Sequence, residues 1–209
     1  MAVLRTFLFF LGAAALSSIA VLCLWGDIYL FDYDIPEISL TEIVQELVLA
    51  GIVAIHFLLA KKHELLRYCN ILVGGFFLTM LIRELDAAFD LISHGSWVWF
   101  ALLATLCAVI LPLKHYRQTL AQLTEYTRSP WYGVMLSGLL AVLVFSRLFG
   151  MQAMWHAILA DGYVRIVKNA VEEGSESFGY MLCLTASIGY YCNFRRMASR
   201  NASLANAGV

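Results

Sequence analysis

Six apolar stretches, each long enough to cross a lipid bilayer, constrain this chain more than any other feature. A membrane-spanning helix needs about 20 mostly apolar residues. The sequence offers residues 6–25, 41–60, 68–85, 96–113, 131–149 and 171–192. Composition agrees, since 61 % of the 209 residues are hydrophobic and only 14 % are charged. A soluble domain carries about 45–50 % and about 25 %, and on a soluble fold the excess would leave large apolar patches facing water. A soluble enzyme, a disordered chain and a secreted disulfide scaffold are thereby excluded. A formal net charge of −1 excludes a basic nucleic-acid binder. The expected fold is all-α: a polytopic bundle of about six transmembrane helices forming a single domain over residues 1–196, with a disordered tail at 197–209.

The first apolar run follows Arg5, as a signal peptide's would. From Phe7 to Leu24 it is longer than a usual signal core, and Ser17-Ser18-Ile19-Ala20 is a poor cleavage site. It is expected to stay as the first helix. The five cysteines show no C-x-x-C spacing and fall in or beside apolar runs, so they are expected to be free, membrane-buried thiols.

Charge sorting sets the expected orientation. With the N-terminus cytoplasmic, ten of the 14 basic residues fall on the inner side, while Arg83, Arg147, Arg165 and Lys168 fall on the outer. The positive-inside rule then places both termini in the cytoplasm of a cell inner (plasma) membrane protein. The acids sort the other way: Glu64 and Glu125 are inner and the other 13 are outer. Acids contribute little to topology, so this surplus asks for another explanation.

Between the fifth and sixth spans, Met151, Met154, Trp155, Ile158, Leu159, Tyr163, Ile166, Val167 and Ala170 recur at helical spacing. They predict an amphipathic helix on the outer face, bent at Gly162, which can serve as an interfacial lid or as a plain connector. On the fifth span, Gly133, Ser137 and Ala141 recur every four residues and predict a close-packing face.

Charges at membrane depth are costly and persist when paired or wet. In Arg83-Glu84-Leu85-Asp86-Ala87-Ala88-Phe89-Asp90 a continuous helix would put Arg83, Asp86 and Asp90 on one face, pairing Arg83 with Asp86 and leaving Glu84 to meet another helix. Arg165, Lys168, Glu172 and Glu176 align at steps of three and four residues, with Glu173 beside them. Glu176 is the deepest acid, followed by an apolar run. On the second span, Ser39 or Thr41 can cap the helix and Glu42 suits its first turn. Glu46 lies a turn deeper, where capping does not account for it. Arg147, at the end of the fifth span, is expected to pair with Glu46 or Glu176. His94 and His156 are the outer histidines; with Glu173 and Glu176 they are the only set that would offer zinc or a similar metal its ligands. Haem would need facing histidines deep in two helices, and only His56 is deep.

No G-x-S-x-G elbow, P-loop, G-x-G-x-x-G or H-E-x-x-H occurs. The expected protein is a non-enzymatic membrane protein with an outward-facing polar pocket that binds or passes a proton, cation or small cationic solute. Its site residues are Glu46, Glu84, Asp86, Glu172, Glu173 and Glu176, with Arg83, Arg147, Arg165 and Lys168 as counter-charges. Two alternatives stay open. One is a membrane-embedded, metal-dependent hydrolase or transferase at the outer leaflet. The other is an accessory subunit whose charges pair with a partner in a larger membrane complex. No cofactor is required. The expected partners are the lipid bilayer and a second copy or complex partner, with no nucleic acid.

Overall fold

The computed structural model describes residues 2–30 and 39–206, the side chains of residues 2, 5, 30 and 195–206 excepted. Asp32, Asp34 and Glu37 of the acidic first loop therefore lie outside the described residues, as do residues 207–209. Among the described residues there are helices and no strand. In chain order they are α1 (Ala2–Leu30), α2 (Leu40–Lys62), α3 (Arg67–Glu84), α4 (Asp86–Asp90), α5 (Trp97–Lys114), α6 (Tyr116–Thr127), α7 (Tyr132–Leu140), α8 (Ser146–Phe149), α9 (Gln152–Leu159) and α10 (Arg165–Asn206). A π-helical turn, Ala141–Phe145, joins α7 to α8 into one continuous rod.

Five segments are long and apolar enough to cross a membrane: Thr6–Tyr29, Leu40–Lys62, Glu64–Glu84, Trp97–Lys114 and Tyr132–Phe149. The sixth expected span, 171–192, forms the middle of α10 and is more polar than the rest. The reason is its place. α10 packs against α1, α2 and α7 and is the axis of the bundle. Tyr180, Cys183, Ala186 and Ser187 on it are fully buried. A helix screened by its neighbours can carry serine, threonine and tyrosine that a helix facing hydrocarbon cannot. α5, by contrast, packs chiefly on α3 and presents Trp99, Leu102, Leu103 and Leu106 outward.

α10 approaches the fifth segment through glycine. A Cβ on Gly179 would lie 2.5 Å from Val142 Cγ2 and 2.8 Å from the Gly138 carbonyl oxygen, and one on Gly138 would lie 2.6 Å from Cys183 Sγ. The contact face is thus Met135, Gly138 and Val142, all buried. Of the expected close-packing face, Gly133 and Ser137 are exposed and point away from α10, and only Ala141 meets it, 3.1 Å from where a Cβ on Gly179 would lie. Four-residue steps give two small-residue faces on this segment, and the one carrying Gly138 is closed by its partner.

Two caps fix helix starts across long sequence distances. Ser39 and Glu42 form a capping box on α2. The fully buried Asp27, near the end of α1, accepts from the Leu40 and Thr41 amides at 2.7 and 2.8 Å and from the Thr41 hydroxyl at 2.5 Å. The first turn of α2 is therefore saturated, as buried helix ends require. α3 has no cap of its own. Its Tyr68 and Cys69 amides donate to Gln122 Oε1 of α6 at 2.9 and 3.1 Å.

Two expectations change. The helix through Arg83 is not continuous to Asp90. α3 ends at Glu84, and Leu85, at φ −83° and ψ 19°, starts α4 in a new direction. The amphipathic segment 151–170 is likewise not one helix. α9 stops at Leu159, Ala160 adopts φ 46°, and α10 begins at Arg165. At the C-terminal end the backbone of α10 is helical to Asn206. Alanine, leucine and arginine recur there and favour helix locally.

Candidate functional site

Where α2, α3, the end of the fifth segment and α10 converge, six charged side chains alternate in sign. Lys168 Nζ lies 2.7 Å from Glu172 Oε2, and Glu172 Oε1 lies 3.8 Å from Arg147. Arg147 reaches Glu176 Oε1 at 2.5 Å, Glu176 is 3.2 Å from Arg83, and Arg83 is 2.6 Å from Glu84 Oε1. This ladder crosses three helical segments and holds three bases and three acids. Glu176 is its most enclosed member, its side chain 5 % exposed. An ion so buried is tolerable only when paired and fully hydrogen-bonded, and both arginines serve it.

Tyr180 sits one helical turn beyond Glu176, and its hydroxyl is 2.8 Å from Glu84 and 3.2 Å from Glu176. It has one proton for two acceptors. Beside the ladder, Gln45 of α2 donates to Glu173 Oε2 at 3.1 Å and to Ser177 Oγ at 2.7 Å. The carboxylate of Glu173 has no ion pair within 4 Å among the described residues.

A pocket of about 740 Å³ opens next to the ladder, lined by Glu42, Glu46, Glu84, Asp86, Asp90 and His94 with apolar Ile43, Leu85, Ala87, Ala88 and Leu91 between them. Among the described residues no lysine or arginine lines it. At its rim Asp90 accepts from the Gly95 amide and from His94 Nδ1, both at 2.8 Å. The Gly95 N–H first, and His94 second, hold this exposed carboxyl below its ordinary range.

The structure brings together Arg83, Glu84, Arg147, Lys168, Glu172 and Glu176 in the ladder, and Glu46, Glu84 and Asp86 at the pocket. Arg83 does not pair with Asp86. Its partners are Glu84 and Glu176, because the break at Leu85 removes the three-residue helical step and turns Asp86 into the pocket. Arg147 takes Glu176 and not Glu46. Arg165 is exposed and joins no ion pair in the ladder. His156 stacks on the Tyr163 ring at 4.0 Å, and His94 is at the rim. Among the described residues no three His, Cys, Asp or Glu side chains are grouped so as to hold a metal ion. α9 lines none of the pocket, so it is no lid over it. α9 is fastened instead to the end of α8, with the Trp155 indole N–H on the Phe149 carbonyl at 2.5 Å.

Sequence reasoning missed Gln45, Ser177 and Tyr180. The signal was there for two of them: Gln45 stands between Glu42 and Glu46, and Tyr180 follows Glu176 at one turn. Beyond the ladder the bundle becomes apolar. Leu49 and Ile52 are fully buried, with Phe77 and Met181 at 1 % and 2 % exposure. Between the ladder and His56, which lies about 16 Å along α2 from Gln45, the polar side chains are hydroxyls such as Thr79 and the buried Thr185. No known protein family, curated protein or solved structure matches the chain.

Proposed function

We propose that this is a multi-pass inner-membrane protein, with α10 supplying a sixth span and both termini cytoplasmic, whose outward-facing pocket binds a cation or small cationic solute. One observation carries this reading. The three bases of the site are matched one for one by Glu84, Glu172 and Glu176 within the ladder. Among the described residues, Glu42, Glu46 and Asp86 at the pocket, and Glu173 beside the ladder, are left without a base within 4 Å. A concave wall of unmatched carboxylates concentrates cations. The layer of Leu49, Ile52 and Phe77 favours binding over passage, since a charge crossing it would meet no charged partner among the described residues.

The test is calorimetric titration of the purified protein in detergent with magnesium chloride and with spermidine. At least one should bind the wild type, and Glu46→Gln combined with Asp86→Asn should abolish the heat. Glu64→Gln, at the basic end of the bundle, should change nothing. Equal binding by the double variant would show that the pocket is not the site.

A further inference from the structure

Glu84 is the only residue that belongs to both the pocket lining and the ladder. On its pocket side it faces Glu42, Glu46 and Asp86, and on the other its Oε1 accepts from Arg83 and from Tyr180. Every donor in the ladder next to it has a second acceptor already within reach. Arg83 is 2.6 Å from Glu84 and 3.2 Å from Glu176. The Tyr180 hydroxyl is 2.8 Å from Glu84 and 3.2 Å from Glu176. Arg147 is 2.5 Å from Glu176 and 3.8 Å from Glu172. Each group thus touches two carboxylates at once: the Tyr180 hydroxyl divides one proton between them, Arg83 Nη2 donates to both, and Arg147 turns Nη2 to Glu176 and Nη1 towards Glu172, so each can shift its weight from one carboxylate to the other.

We infer that Glu84 couples occupancy of the pocket to the far end of the fifth segment. The inference rests on the cation reading above. A cation seated among Glu42, Glu46 and Asp86 attracts the Glu84 carboxylate and weakens its hold on Arg83 and Tyr180. Arg83 and the Tyr180 hydroxyl then settle on Glu176. With those two donors on it, Glu176 holds Arg147 less tightly, and Arg147 moves towards Glu172. Arg147 lies in α8, directly after the π-turn Ala141–Phe145 and before Phe149, whose carbonyl fastens α9 through Trp155. The occupied pocket therefore has a route to a surface element that touches none of its lining residues. Such coupling needs an element with two arrangements that both sites bias, and the shared donors supply it. Glu84 and Tyr180 are positioning residues in this scheme.

Hydrogen–deuterium exchange of the intact protein tests it, read in two sets of peptides, 84–95 at the pocket and 141–150 at the ladder's far side. The ligand is whichever of spermidine or magnesium binds in the calorimeter. In the wild type, ligand should change exchange in both sets, with at least about a twofold rate change at 141–150. In Tyr180→Phe, which leaves the pocket lining intact, ligand should still protect 84–95 but lose most of its effect at 141–150. Ala87→Lys, which tethers an ammonium group at the pocket, should shift 141–150 in the ligand-free protein by a similar factor. If ligand alters 84–95 and never 141–150, and Ala87→Lys is equally without effect there, the coupling is wrong while the cation site stands. If neither peptide set responds to either probe, the cation reading fails and takes the coupling with it.

Discussion

The two ends of the bundle solve the same problem, polar side chains held among apolar helices, by different means. At the acidic end the groups are carboxyls, arginines and a lysine, touching several partners each and next to a pocket. At the basic end the buried network is built of imidazole, amide and hydroxyl groups. There His56 of α2 is fully buried, with Nδ1 2.7 Å from Asn70 Oδ1 and Nε2 3.2 Å from Ser187 Oγ. Asn70 Nδ2 donates to the Leu66 carbonyl, which leaves its oxygen to accept and assigns the Nδ1 proton to His56. Phe77 and Tyr190 stack on the imidazole with ring centres 6.5 and 6.4 Å away. The Tyr126 ring meets Tyr190 edge-on, and burial pushes the Tyr126 hydroxyl up from its ordinary range. Both imidazole nitrogens there have a partner and no carboxylate joins the network; the Ser187 hydroxyl also reaches the Cys183 carbonyl, and the buried Trp131 indole N–H has no acceptor among the described residues. A network of that kind tightens α2, α3 and α10 against one another. The acidic end keeps unmatched carboxylates and shared donors, which cost stability and are what the proposed cation site requires.

The sharpest way to separate the two ends is by substitution. Arg147→Met leaves Glu176 with Arg83 and Tyr180 alone. Breaking a buried pair costs about 3–5 kcal/mol, and because Arg147 is 42 % exposed the lower figure, about 3 kcal/mol, is expected. Adding Glu176→Gln should recover part of the loss in melting temperature, and raising salt should shrink the effect. Full stability of the single variant would reduce the ladder to a solvated surface feature and erase the contrast. A smaller effect belongs to His56→Leu, which strands Asn70 Oδ1 in the core at a cost of about 2 kcal/mol. Here salt should make no difference and Glu176→Gln should rescue nothing; rescue by it would mean that the two ends are not independent. The smallest is Gln122→Ala, which uncaps α3 from α6 and should lower stability by about 1 kcal/mol, as loss of a helix cap does. Glutamate at position 122 keeps an acceptor for the Tyr68 and Cys69 amides and should restore most of it.

Much of this molecule was legible from residue order, and its failures have a common cause. Apolar length marks the five membrane-competent segments whatever packs on them. The charged positions Arg83, Glu84, Arg147, Glu172 and Glu176 stood out because a charge in an apolar run is expensive wherever it points. What order could not say is direction. Periodicity carries a face forward only while the helix continues, so the break at Leu85 sent Asp86 to the pocket and gave Arg83 to Glu84. The same limit split the 151–170 segment at Ala160. Uncharged partners were harder to see. Gln45 and Tyr180 are ordinary residues until α2 and α10 meet, and only their contacts, 128 residues apart in the case of Gln45 and Glu173, give them a role. The small-residue face of α7 was misassigned because glycine and serine recur on two sides of it, and only α10 chooses between them.

The π-turn at Ala141–Phe145 has a consequence for comparing this chain with others. A single π-turn is an α-helix carrying one residue more than its flanking turns require. Val142 faces inward there, while Leu143 and Val144 face out. Deleting one outward residue lets the turn close to an ordinary α-helix, with Ser146 and Arg147 still directed at α10. The same deletion inside α7 has no slack to absorb it and swings Arg147 by about 100° away from Glu176. The segment is thus indifferent to its own length at one place only. A relative one residue shorter in this span is to be aligned with its gap between 141 and 145, even where residue identity would put it elsewhere, because only that placement keeps the arginine opposite its carboxylate.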